Sequence, residues 1–276
     1  MKKIYTLLII IVSIFGSATA QEITAPEVDS LVLAKIDSYR PKLEAMELQY
    51  PTLTSDKSKA KLAAKYDKLQ AKCNTDIQNI YAKYINVDGV VQRVFTLRTS
   101  IDKESLKQIC ENISPEVRSS DPYVKSLEMH INSYQVAVGD TIGDFKAITS
   151  NGHQFNYGEF RYEKDVLLIF GDIQTMPLEV RMILQVMYKE VDLSKLEFVS
   201  FMGGSSAAEL KSAARAAQIE WLVASDFRED HSPLRIAFGV IIEPTLVYIS
   251  KGGAIEIMES GLSDATIDKI KEQSYK

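Results

Sequence analysis

One candidate chemical site lies between a strand and a helix in the second half of the chain. The apolar run 166–170 predicts a buried strand, and after a short turn Thr175-Met176-Pro177-Leu178 begin a helix that extends to about Lys189. A threonine hydroxyl can cap a helix, and a proline suits the first helical turn. A threonine nucleophile would need a neighbouring base, and no histidine lies near Thr175 in sequence. We therefore expect Thr175 to cap the helix rather than to catalyse.

The chain contains two cysteines, and the sequence leaves two interpretations of them open. Cys73 and Cys110 both lie on the apolar stripe of a predicted helix. In an oxidising compartment they could form a disulfide, which would close a loop of about 37 residues and stabilise the fold by about 4 kcal/mol on the chain-entropy model. They could instead be buried free thiols that pack as small hydrophobic side chains. Neither lies at a helix start or in a Cys-x-x-Cys pair, so we expect no catalytic role for either.

Two acids and three histidines complete the candidate residues. Asp172 follows the strand at 166–170, and Glu243 precedes Pro244. A carboxylate beside a helix N-terminus is favoured by several tenths of a kcal/mol, and the alternative is that both acids are simply solvated. The histidines are scattered and lack the spacing of metal ligands, so the sequence predicts neither a metal nor a cofactor. They are His130, His153 and His231.

Composition and the first twenty residues indicate an exported soluble protein. Of the 276 residues 46% are hydrophobic and 25% charged, which is typical of a globular chain, and the net charge of −5 argues against nucleic acid. Lys2 and Lys3, the apolar run 7–15 and the end of the segment at Ala20 predict a signal peptide over residues 1–20, cleaved before Gln21. The alternative, an uncleaved anchor, is disfavoured because the apolar run is short. We predict a periplasmic protein without a transmembrane segment in the mature chain.

Residues 21–135 are predicted to form a helical module. A first helical segment spans 27–48 and is broken by Pro41, and further helices cover 102–113 and 122–134. The clearest helix begins near Ser55 and ends at Asp88-Gly89, because apolar residues recur along it at steps of three and four. These residues are Leu62, Tyr66, Leu69, Cys73, Ile77, Ile80 and Tyr84, and lysines cover its other faces.

Residues 136–276 are predicted to form an α/β domain with a mixed sheet flanked by helices. A hairpin turn lies at 150–153, and strands at 166–170, 196–202, 245–250 and 254–259 alternate with helices at 176–190, 205–217 and 263–273. Strand–helix–strand alternation that ends in a hairpin and a helix is typical of such a sheet.

The α/β domain resembles the thioredoxin-like thiol–disulfide oxidoreductases of bacterial envelopes, in particular the cytochrome-maturation type of the Bacteroidetes. The residues that carry this resemblance are the opening segment Gly139–Phe145, the hairpin with Asn151-Gly152, the strand, turn and helix at 166–181, the segment Phe238–Leu246 and the Gly252-Gly253 turn. The helical module is similar to the stalk that precedes such domains. The resemblance covers residues 136–276.

This resemblance implies where the functional residues of the family would fall. The two reactive cysteines correspond to Thr175 and Leu178, so the Cys-x-x-Cys pair is missing. Pro244 takes the place of the cis-proline whose neighbours hold extended peptides in that family. The resemblance therefore implies a binding groove rather than a redox centre. The predicted binding residues are Thr175, Met176, Pro177, Glu243, Pro244 and Thr245.

The sequence thus predicts a redox-inactive thioredoxin-like protein that binds an extended polypeptide or a partner protein. Two alternatives remain open. The protein could be a thiol–disulfide oxidoreductase that uses Cys73 and Cys110 or the cysteines of a partner. It could also be a structural component of the envelope. Fold alone does not decide among these functions.

Overall fold

A computed structural model describes residues 23–274 of the chain. The predicted signal peptide, residues 1–20, lies outside the described residues. The contacts of the chain divide it into two compact units, one ending at Val91 and the other spanning Gln92–Lys276. The helices between Gln92 and Asn132 therefore group with the sheet, although the sequence placed a domain boundary after residue 135. Among residues 23–274 no helix is both long and apolar enough to cross a membrane.

The N-terminal unit contains two long helices. Helix α1 spans Ala25–Gln49, a 3-10 turn covers Tyr50–Thr52, and α2 spans Asp56–Tyr84 with Ser55 as its N-cap. The predicted break at Pro41 is wrong, because Pro41 lies inside a continuous α1. An interior proline weakens a helix by removing one hydrogen bond. Contacts with α2 hold α1 together, including the hydrogen bonds Tyr39 to Asp76 (2.7 Å) and Tyr66 to Glu47 (2.7 Å).

Short capped helices open the C-terminal unit. They are α3 (Val90–Thr96, at the division between the units), α4 (Lys103–Cys110), α5 (Pro115–Ser120) and α6 (Pro122–Asn132). Asp102, Ser114 and Asp121 each accept a backbone N–H at a helix start. Pro115 begins α5, which suits a proline because its missing N–H would have no helical partner at that position.

A seven-stranded mixed sheet forms the centre of this unit, in the order β2-β1-β5-β4-β3-β6-β7. Strands β3, β4 and β5 are parallel, whereas the remaining pairings are antiparallel. The strands are β1 (Lys146–Thr149), β2 (Gln154–Asn156), β3 (Asp165–Phe170), β4 (Leu196–Phe201), β5 (Leu222–Ser225), β6 (Thr245–Ile249) and β7 (Ile255–Ser260). The predicted α/β class is confirmed. Strand β5, four residues long, was missed and assigned to a loop.

Helices cover both faces of the sheet. They are α7 (Tyr157–Phe160), α8 (Leu178–Glu190), α9 (Ala207–Ala216), α10 (Pro233–Ala237) and α11 (Asp264–Ser274), with a 3-10 turn at Glu229–His231. Strand β3 is buried on both faces: Leu168 and Phe170 enter one hydrophobic cluster, and Leu167 and Ile169 enter the other. Trp221 packs in the core, and its indole N–H donates to the Ser200 hydroxyl at 2.8 Å.

Candidate functional site

The candidate site is built where β3 ends against the segment that precedes β6. Gly171 follows β3 with a φ of +139°, and a Cβ placed there would lie 3.1 Å from the Glu243 Cβ and 3.4 Å from the Pro244 Cα. Only glycine suits both this backbone conformation and this close approach. The structure therefore brings the turn after β3 and the Glu243-Pro244 segment into direct contact.

Asp172 organises the turn. Its carbonyl oxygen accepts the N–H groups of Thr175 (3.2 Å) and Met176 (3.0 Å), and its carboxylate accepts the N–H of Gln174 at 2.8 Å. The Thr175 hydroxyl also donates to the Asp172 carbonyl, at 3.2 Å. Residues 172–176 thus form a separate turn before the helix.

The predicted role of Thr175 as the helix cap is wrong. Helix α8 begins at Leu178, with Pro177 as a cap residue that makes no side-chain hydrogen bond. The cause is the Asp172 turn, which occupies both the hydroxyl and the N–H of Thr175. A thiolate at this position would find the N–H groups of Thr175 and Met176 already bonded to the Asp172 carbonyl.

The Glu243 carboxylate is paired on both oxygens and is not simply solvated. One carboxylate oxygen accepts the Asp172 N–H at 3.0 Å, and the other pairs with the guanidinium of Arg235. The Arg235 side chain is only 9% exposed, and Asp230 lies 3.9 Å from it. Because a buried cation requires compensation, Arg235 holds Glu243 in place, and Glu243 in turn holds the turn after β3.

The backbone beside Glu243 is open. The Glu243–Pro244 peptide bond is cis, as expected from the resemblance. The Pro244 carbonyl accepts the Gly261 N–H at 2.7 Å, and the Thr245 hydroxyl donates to the Ile242 carbonyl at 2.6 Å. Within residues 23–274, neither the N–H nor the carbonyl of Glu243 has a hydrogen-bond partner. This residue therefore presents both a donor and an acceptor for an extended chain.

Exposed apolar side chains occur in the same segments. Leu178, Met182 and Val186 recur every four residues along α8, and Leu178 is 58% exposed. Ile242, next to Glu243, is 62% exposed. A cleft of about 250 Å³ lies beside this segment and is lined by Thr99, Phe238, Gly239, Ile241, Ile242, Thr245 and the end of β7. These features suit apolar contacts with another chain.

The six predicted binding residues are not equivalent in the structure. Thr175 and Pro177 are exposed in the turn, whereas Met176, Pro244 and Thr245 are buried. Both oxygens of the Glu243 carboxylate have partners, so only its backbone N–H and carbonyl remain for a ligand. Sequence reasoning missed Arg235, which carries no local signal, and the exposed Ile241 and Ile242, whose apolar run before a proline is the one available hint.

The two cysteines do not belong to the candidate site, and both are buried. Cys73 and Cys110 are free, buried thiols, and they belong to different compact units. Burial, assisted by Glu128, raises the pKa of Cys110 to about 11, and burial also raises that of Cys73. The sequence left open a disulfide and a pair of buried free thiols, and the structure contains the free thiols. In the described part of the chain no group of three or more possible ligands could hold a metal ion.

Comparisons with known proteins give fold-level similarities. No protein-family model and no curated protein matches the sequence. A thiol-disulfide oxidoreductase from Bacteroides fragilis matches with a TM-score of 0.43 and 18% identity, over 48% of this chain and 98% of that one. The thioredoxin domain of a thiol-disulfide oxidoreductase from Bacteroides vulgatus matches with a TM-score of 0.44 and 14% identity, over 50% and 98%. A peroxiredoxin-like protein from Aquifex aeolicus matches at 0.40 and 16%, over 51% and 89%.

The C-terminal half of the chain has a thioredoxin-like fold. Its own topology supports this description: β3 and β4 are parallel and joined by α8, while β6 and β7 form an antiparallel hairpin on the other side of β3. A cis-proline begins the hairpin. The resemblance predicted the two cysteine positions of the family at Thr175 and Leu178, and neither of these residues carries a thiol.

Proposed function

We propose that this protein is an exported, redox-inactive thioredoxin-like protein that binds an extended segment of a partner protein. The contact surface consists of the exposed turn residues Thr175 and Pro177, the backbone of Glu243, and the apolar side chains of Leu178 and Ile242. The observation that carries this proposal is the open N–H and carbonyl of Glu243 between exposed apolar side chains.

Open backbone groups beside apolar side chains suit the binding of extended peptides. In such complexes main-chain hydrogen bonds supply affinity, and pockets for alternate side chains supply specificity. A rigid receptor loses less entropy on binding. Here the ion pair of Arg235 with Glu243 and the hydrogen bond from Asp172 fix the open segment before any ligand arrives.

Redox inactivity follows from the position of the sulfur atoms. Thiol–disulfide exchange needs an accessible thiolate. Thr175 and Leu178 supply none, and the two cysteines of the chain are buried with raised pKa values. The export of the protein rests on the sequence of residues 1–20.

A peptide-binding experiment tests this function. Unstructured twelve-residue peptides from an immobilised library are screened, and the strongest is titrated calorimetrically against the wild type and two variants. We expect Ile242→Asp to weaken binding at least about tenfold, because a charge would replace an apolar contact. Leu193→Asp is the matched control, since Leu193 is an exposed apolar residue outside this surface, and it is expected to leave the affinity unchanged.

Two results would overturn the proposal. One is a peptide affinity that Ile242→Asp and Leu193→Asp change equally. The other is insulin reduction by the wild-type protein that Cys73→Ala or Cys110→Ala abolishes, which would show that the protein is an oxidoreductase.

A further inference from the structure

The first half of helix α2 carries a basic stripe, defined as Lys57, Lys61, Lys65, Lys68 and Lys72. The five lysines follow one another at steps of four, four, three and four residues, so they lie on one side of the helix. Over sixteen residues the stripe is about 22 Å long. All five side chains are exposed.

The stripe is separate from the buried side of the helix. Leu62, Cys73 and Tyr81 are the buried residues of α2, and none belongs to the lysine series. At 100° per residue, the five lysine positions lie about 60° to 140° around the helix from Leu62, all on the same side. The stripe is therefore a second, solvent-facing side of the helix that packing does not require.

Within residues 23–274 no acidic side chain forms an ion pair with these lysines, although Lys72 contributes to lowering the pKa of Asp76. Asp56 and Asp67 stand at none of the three- or four-residue spacings from them. Asp76, four residues after Lys72, is bonded to Tyr39 and lies 3.6 Å from Lys35. Like charges at these spacings destabilise a helix, so the stripe opposes the local stability of α2.

The charge of the stripe also opposes that of the whole chain. Residues 55–72 contain six lysines and two aspartates, whereas the chain as a whole has a net charge of −5. Helix α2 contains no arginine. Arginine suits the two-pronged recognition of individual carboxylates or phosphates, whereas lysines act as separate point charges on flexible stems. An evenly spaced lysine series therefore fits a diffuse anionic surface better than one specific acidic group.

Clusters of several lysines on one side of a helix are typical of segments that bind anionic lipid surfaces. Lys59, whose ammonium lies 5.9 Å from the centre of the Tyr50 ring, is not part of the stripe, because at 100° per residue it lies 120° or more around the helix from each of the five lysines. The stripe would therefore act through its charge and not through the apolar residues near Tyr50.

We infer that the basic stripe of α2 attaches this protein to anionic lipid surfaces. The attachment is peripheral and electrostatic. It concerns the N-terminal unit alone and does not depend on the peptide-binding function proposed above.

Vesicle sedimentation tests this inference with the full chain. The vesicles are either phosphatidylglycerol with phosphatidylethanolamine or neutral phosphatidylcholine, at 50 mM and 500 mM NaCl. Any binding through the apolar run 7–15 is measured with the neutral vesicles and is the same for every variant. We expect preferential binding to the anionic vesicles that 500 mM NaCl suppresses, because salt screens exposed charges.

Two variants with equal charge change separate the stripe from net charge. The stripe variant carries Lys57→Gln, Lys61→Gln, Lys65→Gln, Lys68→Gln and Lys72→Gln, and glutamine preserves helix propensity. The matched control replaces five other exposed lysines with glutamine, namely Lys107, Lys125, Lys211, Lys251 and Lys271. At about fivefold per lysine near an anionic surface, the stripe variant should lose at least about a hundredfold in affinity. The control should lose less than about threefold.

Circular dichroism establishes that both variants remain folded. The inference fails if the stripe variant binds anionic vesicles as the wild type does, or if the control loses as much affinity. It also fails if the full chain binds soluble poly-glutamate but shows no preference for anionic over neutral vesicles, because the stripe would then serve an acidic protein.

Discussion

The turn after β3 and the interior of the helices before the sheet contrast in their exposure to water. Thr175 and Pro177 in the turn are exposed to water, whereas Cys110 and His130 lie in the interior. Burial raises the pKa of Cys110 to about 11, and burial together with Arg98 and Lys103 lowers the pKa of His130 to about 4. The interior thus keeps both groups uncharged.

Thiol reactivity requires that a residue carry a thiol and also that this thiol be accessible and able to ionise. Thr175 is exposed and carries no thiol, whereas the thiols of Cys73 and Cys110 are buried and have raised pKa values. The turn after β3 is held by the hydrogen bond of the Asp172 N–H to Glu243 and by the ion pair of Glu243 with Arg235.

The largest expected effect concerns thiol reactivity and tests the contrast directly. In a Thr175→Cys variant, we expect the new thiol to react with Ellman's reagent at pH 7.5 at least about 100-fold faster than Cys110. An exposed thiol of ordinary pKa is about one-tenth ionised there, whereas one with a pKa near 11 is ionised far less. Reaction is followed by absorbance, and each rate is assigned by mass spectrometry.

A Thr54→Cys variant supplies the matched control, because Thr54 is exposed in the loop before α2. We expect Thr175→Cys to react within about threefold of Thr54→Cys, since the Asp172 turn already uses the nearby N–H groups. A much faster reaction at position 175 would mean that the turn still activates a thiol.

The second effect is a pH dependence of stability that arises from His130. Its folded pKa of about 4 lies below its unfolded value of about 6.5. Between these values the unfolded chain binds more protons, so stability falls as the pH decreases. We expect His130 to contribute a loss of roughly 2–3 kcal/mol between pH 7 and pH 4.5.

Urea unfolding of His130→Gln should lack this part of the pH dependence, whereas His153→Gln should retain it, because His153 is exposed. Equal slopes in the two variants would show that the interior around His130 tolerates charge.

The third effect concerns the support of the turn. Glu243→Ala leaves the buried Arg235 without its closest partner and should lower the free energy of unfolding by about 2 kcal/mol, below the range for fully buried pairs because Glu243 is partly exposed. Asp230→Asn should cost less than about 0.5 kcal/mol, because Asp230 lies 3.9 Å from Arg235 and is itself largely exposed.

Adding Arg235→Met to Glu243→Ala should recover part of the loss, because no unpaired buried charge then remains. If the double variant is less stable than Glu243→Ala, Arg235 stabilises the fold by packing and not as the partner of Glu243.

The smallest expected effect is on insulin reduction. Wild-type protein, Cys73→Ala and Cys110→Ala should all show only the background rate, because neither native thiol is accessible. The assay follows turbidity with dithiothreitol as reductant and a redox-active thioredoxin as positive control. Turnover by the wild type that one alanine variant removes would contradict the contrast between turn and interior.

Local patterns were sufficient for much of the fold. The apolar run 166–170 predicted β3, and the helical spacing from Leu62 to Tyr84 predicted α2. The position of the cis-proline came from the resemblance and not from a local pattern. Local patterns were insufficient where tertiary contacts override local preference. Pro41 remains inside α1, and Thr175 serves the Asp172 turn and does not cap α8.

The candidate site was predicted in position but not in its interactions. Sequence reasoning selected Glu243 and Asp172 and treated them as candidate acids, whereas the structure joins them to each other and to Arg235. Asp172 and Glu243 are 71 residues apart, so no local pattern reports their contact.

The sequence by itself determined that Thr175 and Leu178, where the resemblance predicts the two cysteines of the family, carry no thiol, because the presence of a thiol is a matter of residue type alone. Only the tertiary structure decided which groups are charged, paired or open. Burial sets the protonation of Cys110, the Arg235 pair occupies the Glu243 carboxylate, and folding leaves the Glu243 backbone unpaired. These properties depend on solvent exclusion by distant parts of the chain, which spacing along the sequence does not encode.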